Sequence, residues 1–499
     1  MQNNDVNNLE TTNQFLDKII VKTDVDSKNG QNKCPKCGAT DIALNVNSGK
    51  LRCNYCRHEF EPQKITGMQE DLSQLNGEII GSGATDIIAS TNDILTFKCS
   101  TCGAEVVVDT KESSQARCHW CRSKLSVNQQ IPNGSIPDVV LPFNVKRDIA
   151  KKLIEDFVGS RKFFAHPKFK SEFVANNIMG VYLPYMVVDL NTHMKLIGKG
   201  EHKIRQYNRG SGNNISTYYD ADLYSINREY DLSIDGLSIE SSADKLNKNS
   251  NDKTNNIINA VMPFDIENCV KYDSNYLTGY TSERRDTNVQ QLKNLVHMQA
   301  KDIAKFAAND TITNYDRGVS WENEDFLIKG EQWKAAYLPI WLYSYVQING
   351  NKKLIHYVAV NARTKKTMGS IPIYYPKLII ISLVVEIAGI IASLYLDFDY
   401  SWLFIFSGIL YFLLIFFKYR NTDARHKYET DTKTIMKNLN KKDTYITTKK
   451  GLTSTKIDGV NNESLSNESI GNKLLNNVVN NDSILSAIKN EFDDKKGGK

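Results

Sequence analysis

The hydrophobic pattern divides this chain into stretches of different character. After the entry Leu141-Pro142-Phe143, the residues Val145, Ile149, Leu153 and Phe157 recur every four positions, which predicts a helix. Residues 181–188 are mostly apolar and predict a strand, and Tyr224, Ile226, Arg228, Tyr230, Leu232 and Ile234 alternate like one face of a half-buried strand. Val289, Leu292, Val296, Ile303 and Phe306 mark a second helix. Asn349-Gly350 separates two strand-like runs, 342–348 and 354–360, and predicts a hairpin. The theme repeats: Met262-Pro263-Phe264 echoes Leu-Pro-Phe, and Tyr337-Leu338-Pro339 echoes Tyr182-Leu183-Pro184. Residues 136–376 are therefore expected to form an α+β domain with two related halves at unequal spacing, interrupted by a polar loop at 241–256.

Two later runs are apolar on every face. Residues 378–396 would span about 28 Å as a helix, close to the ~30 Å hydrocarbon core of a bilayer; residues 401–417 are shorter and rich in Phe, Leu and Ile. Only Asp397, Phe398, Asp399 and Tyr400 separate them, which forces an antiparallel helical hairpin. Lys365, Lys366 and Lys377 precede the pair, and Lys418, Arg420, Arg425 and Lys427 follow it. By the positive-inside rule both flanking regions face the cytoplasm, so a multi-pass protein of the cell membrane is expected. Glu386 falls near the middle of the first run, where a carboxylate is costly. Ala388 with Ala392 and Gly389 with Ser393 would permit close helix packing.

Eight of the nine cysteines form four C-x-x-C pairs. Cys34 and Cys37 precede Cys53 and Cys56 by a gap of fifteen residues; Cys99 and Cys102 precede Cys118 and Cys121 by the same gap, 65 residues later. Two thiolates on one tight turn share an ion, and two such knuckles complete a tetrahedral Zn2+ site. Gly38 and Gly103 follow the first knuckles, where a turn favours positive φ. The expectation is two small β zinc ribbons holding two structural Zn2+ ions, closed to substrate and folded by metal binding. His58 and His119 lie beside knuckles already supplied with four thiols and are read as surface or supporting groups. Cys269 stands alone and reads as a buried small hydrophobe.

Composition refines this picture. Hydrophobic residues make up 41% and charged residues 24% of the 499, which excludes a globally disordered chain. Residues 418–499 carry 16 Lys/Arg against 11 Asp/Glu, which accounts for the whole net charge of +5; the preceding residues carry 46 of each sign. A neutral body argues against a protein built mainly to grip nucleic-acid phosphates. No G-x-x-x-x-G-K-[ST], H-E-x-x-H or G-x-S-x-G occurs, so nothing points to an enzyme.

The Cys34-Pro35-Lys36-Cys37-Gly38 ribbon start, the Leu141-Pro142-Phe143 entry, the Tyr182-Leu183-Pro184 and Tyr337-Leu338-Pro339-Ile340-Trp341 strands and the terminal apolar segments together resemble the bacterial membrane-anchored TFIIB-type zinc-ribbon-containing proteins, over roughly residues 30–417. The resemblance implies a non-enzymatic adaptor that scaffolds protein partners at the cytoplasmic membrane face, in envelope-stress response, with SPFH-type (flotillin-like) or phage-shock proteins as partners. The alternative is a membrane-tethered nucleic-acid-binding protein of replication or transcription. The expected order is a disordered N-terminus (1–30), ribbon 1 (31–62), linker (63–96), ribbon 2 (97–130), the α+β domain (136–376), two membrane helices (378–396 and 401–417) and a basic, mostly flexible tail (418–499).

Overall fold

The computed structural model describes residues 18–21, 23, 34–39, 42–61, 65, 68–87, 94–98, 105–109, 115–117, 124–126, 136–209, 216–241, 261–277, 280–283, 285, 287–349, 352–395, 401–419 and 432–453. The N-terminal strands are short: β1 (Lys18–Val21), β2 (Ile42–Asn45), β3 (Lys50–Cys53), β4 (Glu59–Phe60) and β5 (Gly77–Gly81). Two separate antiparallel pairs follow, β6 (Ile94–Lys98) with β7 (Glu105–Asp109) and β8 (Gln115–Arg117) with β9 (Lys124–Ser126).

The body begins with β10 (Val139–Val140), α1 (Arg147–Gly159), α2 (Pro167–Glu172), β11 (Met179–Arg209) and β12 (Ser216–Glu240). It continues with β13 (Val270–Lys271), β14 (Thr281–Ser282), α3 (Val289–Asn309), β15 (Val319–Asn349), β16 (Lys352–Asn361) and β17 (Thr367–Gly369). Last come the apolar helices α4 (Tyr375–Tyr395) and α5 (Ser407–Tyr419), and then β18 (Lys433–Thr453). One eleven-stranded sheet dominates, running β1-β5-β15-β11-β12-β18. At about 3.3 Å per residue, the 31-residue strands β11 and β15 each extend roughly 100 Å.

The two Tyr-Leu-Pro segments meet at the centre of this sheet. Tyr182 pairs with Pro339, Leu183 with Leu338 and Pro184 with Tyr337, so an approximate two-fold axis passes through the Leu183–Leu338 pair. The backbone repeats around it. Leu141 N donates to Tyr337 O (2.9 Å) and Glu283 N to Tyr182 O (3.0 Å). Ala362 N donates to Pro339 O and Ser241 N to Pro184 O, both at 3.1 Å. Val145 N donates to Ala362 O (2.8 Å) and Thr287 N to Ser241 O (3.3 Å). The arrangement is crossed: β10 pairs with β15 and α1 packs on β15–β16, whereas β14 pairs with β11 and α3 packs on β11–β12. Each half therefore buries its helix on the hairpin of the other.

Several expectations need correction. Met262-Pro263-Phe264 is not the counterpart of Leu141-Pro142-Phe143; on the two-fold that place belongs to the chain following Ser282, since Val140 and Ser282 occupy the equivalent strand positions. In α1 the core-facing residues are Ala150, Ile154 and Val158, with Leu153 and Phe157 half-buried and Ile149 exposed: the buried stripe keeps the four-residue spacing but is centred one position further along, so the expected residues flank it. Residues 18–21, expected within a disordered N-terminus, pair with β5; β5, expected within a linker, is buried and pairs with β15. Residues 433–453, expected within a flexible tail, form β18 on the edge of the sheet against β12. The remaining residues of 1–30 and 418–499 lie largely outside those described, whereas 68–87 of the expected linker are described throughout.

The helix expected at 378–396 is α4, 21 residues long, apolar enough to cross a membrane and with only 17% of its apolar window buried. The second run, expected as a helix over 401–417, is instead a tight 3-10 segment (Ser401–Phe406) followed by the 13-residue α5. The hairpin base is fixed to the body. Phe164 N donates to Tyr419 Oη (2.9 Å), Tyr374 N to Phe164 O (2.8 Å) and Ile371 N to Tyr419 O (3.2 Å).

Candidate metal centre

The sequence builds the first knuckle pair from repeated backbone turns. Gly38 N donates to Cys34 O and Arg57 N to Cys53 O, both at 2.9 Å; Cys34 N donates to Ala39 O (2.8 Å) and Cys53 N to His58 O (3.0 Å). Each knuckle thus wraps its amides around the loop that carries its thiols. Closing that loop needs a left-handed residue, and Gly38 has φ 71°. The equivalent place in the second knuckle is taken by Arg57, at φ 59°, a conformation that costs a residue with a Cβ roughly 1 kcal/mol. Glu59 braces the β2–β3 turn by accepting from Asn45 (2.7 Å) and Ser48 (3.0 Å), and these donors hold its carboxyl below the usual range.

The four thiols converge. Cys34 Sγ lies 3.5 Å from Cys56 Sγ, Cys37 Sγ lies 3.6 Å from Cys53 Sγ, and all four lie within 4.8 Å of one another. A disulfide needs about 2.05 Å, so the set is not bridged. A tetrahedron of Zn–S bonds of about 2.3 Å has edges of about 3.8 Å, and the observed separations fit it. The donor chemistry agrees. Burial would raise the Cys34 thiol, but the N–H groups of Cys37 and Lys36 and the neighbouring thiols outweigh it and bring it to about 7. For Cys37 the N–H of Ala39 favours the thiolate, yet burial and the three crowded thiols push it up to about 12. Thiolates crowded this closely repel one another, and a bound cation would offset that repulsion. Four sulfurs saturate a tetrahedral ion and leave no position for substrate.

Among the described residues this is the one cluster suited to metal. Cys99, Cys102, Cys118 and Cys121 lie outside the described residues, as does His119. Their flanks are described, however: residues 99–104 join β6 to β7, and residues 118–123 join β8 to β9. His58 contributes its backbone carbonyl, and its ring stacks beside Phe60. Tyr55 is 81% exposed and does not cover the thiols. Cys269 packs at the margin of the core, where burial pushes its thiol up to about 12.

The centre is not a separate bead on the chain. Cys34, Ile42, Leu51 and Cys53 belong to the same apolar cluster as Phe143, Ile154 and Phe164 of the body and Leu378, Phe416 and Tyr419 of the apolar helices. β2 packs against the turn Ser274–Leu277. No sequence signal announced this docking, since the turn that β2 packs against lies more than two hundred residues away. Compared with known proteins, the chain matches no family model, no curated protein and no solved structure.

Proposed function

We propose that this chain is a non-enzymatic scaffold of the cytoplasmic membrane face, in which metal-stapled ribbons grip a protein partner and a helical hairpin anchors the body in the bilayer. The observation that carries it is the shared core: a saturated thiol cluster, the α+β body and the base of the apolar hairpin are packed as one unit. Such a unit transmits position and has no open metal site at which to turn over a substrate. Zn2+ is the ion that best suits four thiols at these separations, and the spacing of Cys99, Cys102, Cys118 and Cys121 extends the assignment to a second ion and a second ribbon.

The membrane assignment follows from α4 and from the outward apolar face of α5, where Ile409, Leu410 and Leu414 are each more than half exposed. In this reading both helices cross, with the body and β18 on the cytoplasmic side. SPFH-type or phage-shock proteins are the partner class implied by the sequence resemblance, and the two-fold body is read as an internal duplication. The test is affinity capture of the full chain from detergent-solubilised membranes, comparing wild type with Cys34→Ser/Cys53→Ser. The same partner recovered in equal amount from both would defeat the gripping role of the ribbon.

A further inference from the structure

Both apolar helices leave the body at one level, and the segment preceding α2 lies against them there. Lys170 Nζ and Lys377 Nζ both donate to the carbonyl oxygen of Phe163, at 3.4 and 3.1 Å, so two ammonium groups converge on one neutral acceptor. Lys377 Nζ also lies 3.6 Å from the centre of the Phe163 ring, which is 58% exposed. Arg161 Nε donates to Lys418 O at 2.9 Å, while its guanidinium covers the Phe157 ring. Lys162 and Lys418 are exposed. Among the described residues none of Arg161, Lys162, Lys170, Lys377 and Lys418 has a carboxylate within ion-pair distance; nearby, only Lys168 has one, Glu172 at 4.0 Å. Burial, followed by the charges of Lys377 and Lys162, lowers Lys170. Like charges have been collected here and left without a counter-charge.

We propose that this collar binds the phosphate headgroup of an anionic phospholipid, held by Lys170 and Lys377, with Phe163 set among the upper acyl chains. A phosphate offers several strong acceptors to two ammonium donors that otherwise share a single carbonyl oxygen. It also neutralises their mutual repulsion at the depth where headgroups meet the hairpin. Three of the cations come from residues 161–170, far from the apolar runs in sequence, and only folding brings them to the helix base. The proposal rests on the membrane assignment above.

The experiment uses the full chain in a mild non-ionic detergent, titrated with phosphatidylglycerol or with phosphatidylcholine of the same acyl chains, and counts retained lipids by native mass spectrometry. Wild type is expected to retain phosphatidylglycerol preferentially. Lys170→Gln/Lys377→Gln should weaken that retention by roughly fivefold for each lysine removed. The charge-keeping Lys170→Arg/Lys377→Arg and the remote Lys441→Gln/Lys442→Gln on β18 should both retain it. Equal retention of the two lipids by wild type, or the same loss in any of the retaining variants, overturns the proposal. Alkaline carbonate washing separates the failures. A wild-type chain stripped from vesicles overturns the membrane assignment and the lipid site together, whereas a chain that stays but shows no lipid preference overturns the site alone.

Discussion

Glu386 gives the sharpest test of how the apolar hairpin is built. Its Oε2 accepts from the N–H groups of Gly408 at 2.6 Å and Ile409 at 3.2 Å, the second and third residues of α5. Those amides have no partner within their own helix. In water they would be solvated, but in hydrocarbon each needs an internal acceptor. Gly408 permits the approach, since a Cβ there would meet Ser382 O and the Glu386 side chain. Replacing Glu386 with Leu removes the acceptor and orphans both donors. At roughly 1–3 kcal/mol for each unsatisfied group, and with the Ile409 bond the longer, the loss should be about 2–4 kcal/mol. Glu386→Gln keeps a carbonyl oxygen in place and should lose only the charge–dipole share, about 1 kcal/mol or less. Hydrogen exchange of the full chain in lipid nanodiscs, read by mass spectrometry over residues 405–412, measures this directly. At about 1.4 kcal/mol per decade, Leu should accelerate exchange by roughly 30- to 1000-fold and Gln by less than about tenfold. An unchanged rate in the Leu variant would refute the capping role; a Gln variant as damaged as Leu would show that the charge, not the acceptor, matters.

Other outcomes are expected elsewhere. Elemental analysis of the full chain should find two zinc ions, falling to one in Cys53→Ser and to one when Cys99, Cys102, Cys118 and Cys121 are all replaced by Ser. Arg57→Gly should raise thermal stability by up to about 1 kcal/mol, because glycine adopts the left-handed conformation freely; a clear loss in a melting curve would contradict the strain argument. Burial raises the Glu331 carboxyl, but bonds from His297 (2.8 Å) and Lys293 (2.6 Å) outweigh it and hold it below its ordinary value. Its contribution to stability is therefore present above the unfolded value near 4.5 and is lost as pH falls through the lower folded value. Glu331→Leu, which leaves His297 without its carboxylate and Lys293 with only the longer contact to Glu78 (3.5 Å), should cost about 2 kcal/mol at neutral pH and flatten the acid limb of a denaturation series; an unaltered acid limb would count against it.

Some of this was legible in advance for a physical reason. Tyr224 to Ile234 alternate because one face of β12 meets the core, and even Arg228 keeps the inward phase, buried and paired with Asp443. The residues of α3 repeat at helical spacing because Val289, Leu292, Val296 and Ile303 face β11 and β12. β18 was not legible: as an edge strand exposed on most of both faces, it needs no alternation, and its lysines conceal it while protecting the edge from further pairing. β5 was missed because five residues, two of them glycine, give no period to read. The collar at Phe163 was missed because charge counted near an apolar run sees only its sequence neighbours.

The sequence by itself determined the local chemistry: thiol pairs on turns short enough to share an ion, helix and strand periods, and an apolar stretch long enough to cross a bilayer. These depend on residues within a few turns of one another, so spacing alone carries them. Only the tertiary structure decided that the Tyr-Leu-Pro segments face each other across a two-fold axis, that each half buries its helix on the other's hairpin, and that Glu386 caps α5. It also decided that the thiol cluster shares a core with the hairpin base. Those outcomes depend on which distant surfaces exclude water together and which orphaned amides find acceptors, and no local pattern encodes either choice.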